Sequence, residues 1–489
     1  MNLIGEDEYK EMEKKSSNKT SIIIIVAIVI TMLICMGIVY AIYYIQSKQF
    51  VFTVDGMAQT NYSQDLFVFE DGKAYISIEG LANVDAMGYK YFKGEYKQYE
   101  ENKESCYVQE SINQFEAASY VNGSNKIYKN MPDKTTEYEY FTIDEPVKQI
   151  NGKLYTTIAG AKLGFNAEIV YNEDKNRVDI LTLTNIARKV YGDDVVKDSN
   201  YDVDTFNNFK ALLYGMKLVT DESSKKIGVY SLEDNVIIGM KYTDIEFMEA
   251  TSEFKVTTDE NKEGIVSSDG VTKIKPEYDS IINIDKDLKL YLVSNNKKYG
   301  VITDTNSIVI HTEYDTIGID ATQFTTNNIK NSYLIYNKCI PVQKDKKWGL
   351  FDLKGRNIIP VEYDTLGCTS SGVKDKTTNN LLIISKGSIE GIVVGKDKKY
   401  GVYSSDGKVL FPIVLDSLYS TTSSGIDEYY MMFNGITYNA LEQINKYVSN
   451  NSSSSTQENN NNIEQNTQEE TVQEETQPEE TQPEEQEEV

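Results

Sequence analysis

After residue 50, apolar and polar residues alternate in short runs that are separated by Gly, Asn, Asp and Ser. This period-two pattern predicts β-strands joined by tight turns over most of the chain. Ile22–Ile45 is the exception, because it is a nearly continuous apolar run. As an α-helix it would be about 36 Å long, which exceeds the roughly 30 Å hydrocarbon core of a bilayer. The pattern therefore predicts one long apolar helix followed by β structure.

The residues around this run predict its topology. Lysines are frequent before it, and Lys48 alone follows closely. Tyr40, Tyr43 and Tyr44 suit a membrane interface, and no small-residue cleavage site follows, as a cleaved signal peptide would require. We expect a cytoplasmic tail over residues 1–20 and a transmembrane signal anchor over 21–46. The protein would then be a single-pass cell-membrane protein with its C-terminal bulk extracellular.

Residues 50–195 contain one strand-and-helix pattern twice. GKAYISIEG at Gly72–Gly80 recurs as GKLYTTIAG at Gly152–Gly160, and the helices that follow are predicted to end at Gly88 and Gly164. A hairpin is predicted over 166–183. The pattern resembles the copper amine oxidase N-terminal-like domain, which implies a small, non-catalytic α+β module. The region has no His, so copper chemistry is not part of that expectation.

A second pattern occurs five times in the C-terminal half, and KKWGLFDLKGRNIIPVEYDTL is its fullest copy. An aromatic residue, best represented by Trp348, precedes a Gly, and an Asp closes the frame 15 residues after the Gly in four copies and 16 in the first. The Gly positions are Gly228, Gly264, Gly300, Gly349 and Gly401. The closing residues are Asp244, Asp279, Asp315, Asp364 and Asp416.

This frame resembles the WG repeat family, over roughly residues 205–447. The Gly residues are 36, 36, 49 and 52 positions apart, which suits propeller blades or an open β array. We expect the Gly to allow a close backbone approach and Trp348 to pack between strands. We expect the Asp to accept backbone N–H groups in an Asx-type turn, and Pro360 to end the returning strand. Phe209–Val219 is predicted to supply the first strand, with a short helix as the alternative.

Charge limits the possible partners. The formal net charge is −26, and so acidic a chain repels nucleic acid. Residues 448–489 are rich in Glu, Gln, Thr and Pro, and we expect a disordered tail. The predicted fold class is therefore mostly β, with a single N-terminal transmembrane helix. A small α+β domain, a β-repeat array of about five units and a disordered acidic tail complete it.

Few residues suggest chemistry. His311 is the single histidine, no nucleophile or phosphate-binding motif is present, and four Cys are too few for a disulfide framework. Unpaired buried thiols are favoured over a Cys339–Cys368 bridge. Asp285 with Asp287 lacks the spacing of a calcium loop, so we expect solvated turns. The acids before Tyr-Asp recur, as structural residues do: Glu277, Glu313 and Glu362.

These observations predict a non-enzymatic envelope protein without cofactor, metal site or nucleic-acid partner. The resemblances imply a bacterial origin. Its repeats would bind an envelope protein or a cell-wall glycan outside the cytoplasmic membrane. The alternative is a cell-wall hydrolase whose acids lie in the inter-repeat loops. A signalling sensor is disfavoured, because about 20 cytoplasmic residues hold no output domain. Neither the ligand nor the oligomeric state follows from the sequence.

Overall fold

The structure is a computed structural model. It describes residues 26–39, 50–70, 73–94, 96, 103–130, 139–196, 201–318, 339–367, 383–386, 389–423 and 426–451. The predicted cytoplasmic tail and all but residues 448–451 of the predicted acidic tail lie outside these ranges. The chain divides into two compact units, residues 1–281 and 282–489. Across the described residues the fold is mostly β, in nine small sheets.

The prediction of a transmembrane helix, and with it the single-pass membrane location, is wrong on this structure. Residues 26–39, which form helix α1, are the described part of the predicted span. Within the described part of the chain, no helix is both long enough and apolar enough to span a bilayer.

The two copies of the GKxY pattern form one sheet in the first unit. Strand β4 (Lys73–Ser77) and strand β11 (Lys153–Thr157) pair antiparallel, with Tyr155 opposite Ser77. Strands β3 (Phe67–Glu70) and β10 (Lys148–Ile150) complete the order β10-β11-β4-β3. Each central strand leads directly into a helix, α2 (Ile78–Ala82) or α3 (Ile158–Phe165). The helices start there because the Ser77 and Thr157 hydroxyls cap the N–H groups of Gly80 and Gly160.

The two helical stretches end differently. In the first, a 3₁₀ turn over Asp85–Met87 ends at Gly88 in the left-handed region, as predicted. Helix α3 instead continues through Gly164 and ends at Asn166, whose φ is 43°. Gly164 has another role, since a Cβ there would lie 1.7 Å from the hydroxyl of Tyr120. This glycine lets a buried tyrosine pack against the helix.

A second sheet has the order β12-β13-β1-β2. The predicted hairpin is confirmed as strands β12 (Ala167–Asn172) and β13 (Arg177–Thr182). Strand β13 also pairs in parallel with β1 (Val51–Val54), which is followed by β2 (Met57–Ala58). The segment between the two halves forms a five-stranded meander of β5 (Tyr89–Lys93), β6 (Ser105–Glu110), β7 (Ala117–Val121), β8 (Lys126–Asn130) and β9 (Glu139–Thr142).

Short helices connect this domain to the repeats. They are α4 (Leu183–Tyr191), α5 (Asp193–Val196), α6 (Val203–Phe209) and a 3₁₀ helix over Lys210–Tyr214. The predicted first strand and its helical alternative are each partly right. Phe209–Tyr214 is helical, and strand β14 begins at Met216, after the left-handed Gly215.

The repeats form a series of antiparallel meanders. In the first unit these are β14 (Met216–Asp221), β15 (Lys226–Ser231) and β16 (Val236–Tyr242), then β17 (Asp244–Met248), β18 (Glu253–Thr257), β19 (Glu263–Ser267) and β20 (Thr272–Tyr278). The next sheet contains β21 (Ser280–Asp285), β22 (Leu290–Asn295), β23 (Lys298–Thr303) and β24 (Ile308–Tyr314).

The second unit continues with a sheet of β25 (Thr316–Ile317), β26 (Ile340–Lys344), β27 (Lys347–Phe351) and β28 (Asn357–Tyr363). A five-stranded sheet follows, of β29 (Thr365–Leu366), β30 (Ile383–Lys386), β31 (Ile389–Lys396), β32 (Lys399–Tyr403) and β33 (Val409–Leu415). The last has three strands, β34 (Ser417–Ser423), β35 (Ile426–Phe433) and β36 (Ile436–Asn439).

Each repeat sheet after the first begins at a closing Asp or just after it, so the sequence frame spans parts of two sheets. The Gly lies in the next-to-last strand and the Tyr ends the edge strand. Pro360 does not end its strand, because β28 continues to Tyr363. An edge strand tolerates Pro, whose missing N–H is not needed there. Closure of the array into a propeller stays a prediction.

The repeat region ends in a helix, which the sequence did not predict. Helix α7 covers residues 440–451, so the predicted disordered tail starts too early by a few residues. Ala440 and Ile444 are fully buried in a cluster with Val402, Leu415 and Met431. The helix therefore covers one face of the last repeat sheets.

Candidate functional site: repeat surface and charged cleft

The glycine of each frame lies where two strands approach closely. A Cβ on Gly228, Gly264, Gly300 or Gly349 would lie 2.7 Å from a carbonyl oxygen of the neighbouring edge strand. The strand register shifts beside each of these positions, as in a β-bulge. In the fifth copy, a Cβ on Gly401 would meet Ile413 at 2.8 Å. The glycine thus permits the bulge that bends every repeat.

Trp348 is an interior residue. It is 5% exposed and packs in a cluster with Leu350, Ile359 and Tyr363, to which Ile392 and Val394 of the following sheet also belong. Tyr363 lies directly opposite it on the edge strand. The ring therefore connects two consecutive sheets and is not offered to a ligand.

The closing Asp also joins consecutive sheets, in a way that differs from the predicted local Asx turn. Asp315 forms an ion pair with Lys298 of the sheet before it. Its second oxygen accepts the N–H of Asp345, in a turn of the sheet after it, at 2.8 Å. Asp364 repeats the arrangement with Lys347 and the N–H of Asp397. The acceptor role is right, but the donor is about thirty residues away.

The other closing residues follow the same arrangement in part. Asp416 pairs with Lys399 at 2.5 Å and accepts weakly from the N–H of Gly435 at 3.4 Å. Asp279 pairs with Lys262 at 2.6 Å. In the first copy, which is one residue longer, Lys226 pairs with Asp259 of the next sheet. The lysine hydrogen bond is the main reason that the pKa values of Asp315, Asp364 and Asp416 are lowered.

The acids before Tyr-Asp are also part of the framework. Glu313 forms an ion pair with Lys344 at 2.8 Å, and Glu362 forms one with Lys396 at 3.0 Å. Each lysine belongs to the following sheet. The same contact recurs between successive sheets, which favours a structural role for these carboxylates.

The edge strands, in contrast, do not carry the same exposed side chain in every copy. Each begins with an exposed residue: Val236, Thr272, Ile308, Asn357 and Val409. Val236 is 63% exposed and Ile308 is 61% exposed. The fourth residue of the strand varies as well: Gly239, Lys275, His311, Pro360 and Pro412. A constant framework therefore presents variable side chains on its edge strands, as repeat proteins do at binding surfaces.

A second feature lies within the first unit, where four charged side chains are buried together. We call Glu116, Lys129, Lys210 and Glu249 the buried quartet; each is at most 4% exposed. Lys210 contacts Glu249 at 2.7 Å and Glu116 at 2.8 Å. Lys129 contacts Glu249 at 2.9 Å and Glu116 at 3.2 Å. Every member thus has two oppositely charged partners.

Other polar groups complete the quartet. The amide of Asn166 accepts from Lys129 at 2.7 Å and donates to Glu116 at 3.0 Å. Desolvation is the largest influence on the pKa of Glu116 and raises it. Lys129 and Lys210 outweigh that influence and lower the pKa to about 2. Desolvation likewise lowers the pKa of Lys210, but Glu116 and Glu249 outweigh it, so this pKa is raised. Glu116 and Lys210 are therefore charged at neutral pH.

The quartet joins three parts of the chain. Glu116 and Lys129 come from the meander, Lys210 from the connecting 3₁₀ helix and Glu249 from the turn after β17. Sequence analysis did not identify it, because its members are far apart in the chain. One signal in the sequence could have indicated a buried charge: Lys210 lies within the apolar segment FKALL.

Glu249 also borders a cleft of about 400 Å³. The cleft lies between α3, the end of β9, the connecting 3₁₀ helix and the β17–β18 turn. Its polar lining residues are Thr142, Asp144, Lys162, Glu168, Tyr214 and Glu249. Its apolar lining residues are Ile143, Ala159, Leu163, Ala167 and Leu213. This is the size and mixed character of small-molecule sites.

No group of His, Cys, Asp and Glu side chains suited to a metal ion occurs in the described part of the chain. Cys106 and Cys339 are buried free thiols, and burial raises the pKa of each to about 12, which makes them poor nucleophiles. Cys368, the other half of the alternative disulfide, lies outside the described residues.

Comparison with known families agrees with the repeat frame. Residues 264–299 and 348–373 match the model of the WG containing repeat family. The first match starts at Gly264 and the second at Trp348, so both begin at the frame identified above. The chain thus contains WG repeats, as predicted, which fits a repeat-based binding protein. No curated protein matches the chain.

Three solved structures are remotely similar to the chain. Dihydro-heme d1 dehydrogenase NirN is 8% identical at a TM-score of 0.17, and the match covers 44% of this chain. The chain spans about half of NirN, at 49%. BBS1N in complex with ARL6DN is 10% identical at a TM-score of 0.18, and the match covers 69% of this chain and 86% of that one.

PorZ, a surface component of the type-IX secretion system of Porphyromonas gingivalis, is 7% identical at a TM-score of 0.15. The match covers 72% of this chain and 39% of that one. TM-scores this low support no argument about the present chain.

Proposed function

We propose that this chain is a non-enzymatic binding protein whose WG-type repeats recognise a protein or cell-wall glycan partner through their edge strands. One observation carries the proposal: the residues that recur are used inside the framework, whereas the exposed first residue of the edge strand is Val in two copies and Thr, Ile or Asn in the others. Trp348 is packed, four of the five closing Asp side chains pair with lysines, and so do Glu313 and Glu362. The variable edge-strand positions are therefore the ones available to contact a partner.

The exposed apolar residues favour a partner that covers them. Val236, Ile308 and Val409 are 63%, 61% and 43% exposed. Each begins a strand at the edge of its sheet. Exposed apolar side chains at a sheet edge suit association with another polypeptide or with a flat glycan surface.

The test compares two sets of full-length variants. Immobilised protein is incubated with envelope proteins and, separately, with protease-treated wall glycan. We expect one fraction to bind, and Val236→Ser, Ile308→Ser and Val409→Ser together to reduce retention severalfold. Val170→Ser is the matched control, because Val170 is 50% exposed on β12, outside the repeats. Failure of both fractions to bind, or equal loss in the control, would contradict the proposal.

A further inference from the structure

The cleft bordered by Glu249 has the properties of a small-ligand site distinct from the repeat surface. Its apolar lining comes from α3 and the connecting segment, through Leu163 and Leu213. Tyr214, at 38% exposed, is its aromatic residue. The ring of Tyr214 packs on that of Phe247 at 5.3 Å between centroids, which holds it in place. The cleft thus has an ordered aromatic ring beside an apolar wall.

The charges of the cleft do not suit an anionic ligand. Lys162 is the cation of its lining and forms an ion pair with Glu168 at 2.5 Å. Glu249 is held by Lys129 and Lys210, and Asp144 adds a third carboxylate to the lining. An anionic ligand would have to take Lys162 from Glu168 and would face three carboxylates. A neutral ligand leaves them intact.

The same groups suit a ligand that carries many hydroxyls. A carboxylate has about four acceptor positions, so Glu168 keeps free acceptor capacity beside its lysine, and Asp144 adds further acceptors. The hydroxyls of Thr142 and Tyr214 both donate and accept. Donors and acceptors around an aromatic ring and an apolar wall match the polar edge and apolar face of a pyranose.

We propose that this cleft binds a short, neutral saccharide, which stacks on Tyr214 and donates hydroxyl hydrogen bonds to Asp144 and Glu168. The site is built by the 50–195 domain together with the connecting segment and the β17–β18 turn. It is separate from the edge strands, so it stands whether or not the repeats bind the partner suggested above.

The test is titration calorimetry of the full-length protein with two neutral disaccharides, cellobiose and N,N′-diacetylchitobiose, with the anionic cellobiouronic acid and with the cationic disaccharide of glucosamine. We expect at least one neutral disaccharide to bind and the anionic one to bind at least about tenfold more weakly, because three carboxylates and one lysine line the cleft. Tyr214→Ala should weaken binding about tenfold through lost stacking, while Tyr214→Phe, which keeps the ring, should lose less.

A second variant tests the cleft without relying on Tyr214→Ala, which could lose binding through a folding defect. Ala159→Trp places a large ring in the cleft without removing any contact of the protein, and it should abolish binding. Ala58→Trp is the matched control, because Ala58 is exposed on β2, away from the cleft. Thermal midpoints of all variants are measured in parallel. Binding that survives Ala159→Trp, preference for either charged disaccharide, or no binding of either neutral disaccharide overturns the proposal.

Discussion

The buried quartet and the ion pairs of the repeat frame use the same chemistry in opposite surroundings. In the quartet, lysine and glutamate side chains are at most 3% exposed and each has two charged partners. In the frame, Lys347 and Asp364 are 43% and 44% exposed and form a single pair. Water screens the second kind of contact but not the first. Burial, and not residue type, therefore sets what each contact contributes to stability.

The two regions also differ in how they are encoded. Frame pairs recur at a fixed separation of 17 residues, as from Lys298 to Asp315 and from Lys347 to Asp364. The quartet occurs once, and Lys129 and Glu249 are 120 residues apart. A contact of low individual energy is thus easy to find in the sequence, because it repeats. The quartet, whose contacts have the larger expected energy, has almost no recognisable pattern in the sequence.

The largest effect is expected from Lys210→Met in the quartet. It leaves Glu116 and Glu249 with only Lys129 between them, and an uncompensated buried charge costs about 3–5 kcal/mol. Lys347→Met, which makes the same replacement in a frame pair, should cost less than about 1 kcal/mol. Denaturant unfolding of the full-length variants measures both. Similar losses in the two variants would refute the contrast between the regions.

A slightly smaller effect is expected from Trp348→Ala. Removing a buried aromatic ring costs about 3 kcal/mol or more, through lost burial and the cavity that remains. The loss should be local, since repeat arrays are stabilised by contacts between neighbours. Amide exchange should rise in the sheets that contain Trp348 and Ile392 and stay unchanged in the 50–195 domain. Trp348→Tyr should be mild, because Tyr299 and Tyr400 fill the same position. Unchanged stability with loss of partner binding would make Trp348 a contact residue.

The repeat framework was largely predictable because its requirements recur. The frame position must be a glycine because a Cβ there would lie 2.7 Å from a carbonyl oxygen. The turn position must be a residue that tolerates the left-handed region. The turn position is Gly270, Gly355 or Gly407 in three copies, and Asp234 or Asn306 in the others. The first two strands of each sheet carry no such requirement. Their alternating pattern is generic, so the sheet boundaries did not follow from the sequence.

The wrong predictions concern features that depend on surroundings. Hydropathy alone predicted a membrane-spanning helix that the described residues do not show. Gly164 was expected to end a helix, but the fold uses it to accommodate Tyr120. The cleft is formed by segments from Thr142 to Glu249, and no local pattern marks them. The copper amine oxidase-like resemblance and the tail beyond residue 451 stay predictions.

The frame glycine offers a test of intermediate size. Gly264→Ala should cost about 2 kcal/mol, because its Cβ would lie 2.7 Å from the Ile274 carbonyl oxygen and from Pro276. Gly239→Ala is the control: Gly239 also lies in a repeat strand of the first unit, but a Cβ there meets nothing within 4 Å. It should be neutral or slightly stabilising. Thermal unfolding distinguishes them, and equal midpoints for the two variants would show that the bulge needs no glycine.

The smallest effect concerns pH. The pKa values of Asp315, Asp364 and Asp416 are lowered from 3.8, chiefly by hydrogen bonds from their lysines. A lowered pKa contributes stability that is fully present above the unfolded value and is lost as pH falls through the folded value. The variant Asp315→Asn, Asp364→Asn, Asp416→Asn should therefore melt slightly below wild type at pH 7, and the difference should decrease as the pH falls below 3.8. In Lys210→Met, one of the two lysines that lower the pKa of Glu116 is absent, so desolvation favours protonation of this carboxyl and the penalty should also decrease at low pH. Thermal midpoints measured from pH 7 to pH 3 give both differences. If the Asn variant kept its full deficit at pH 3, the frame carboxylates would not be stabilised by their charge.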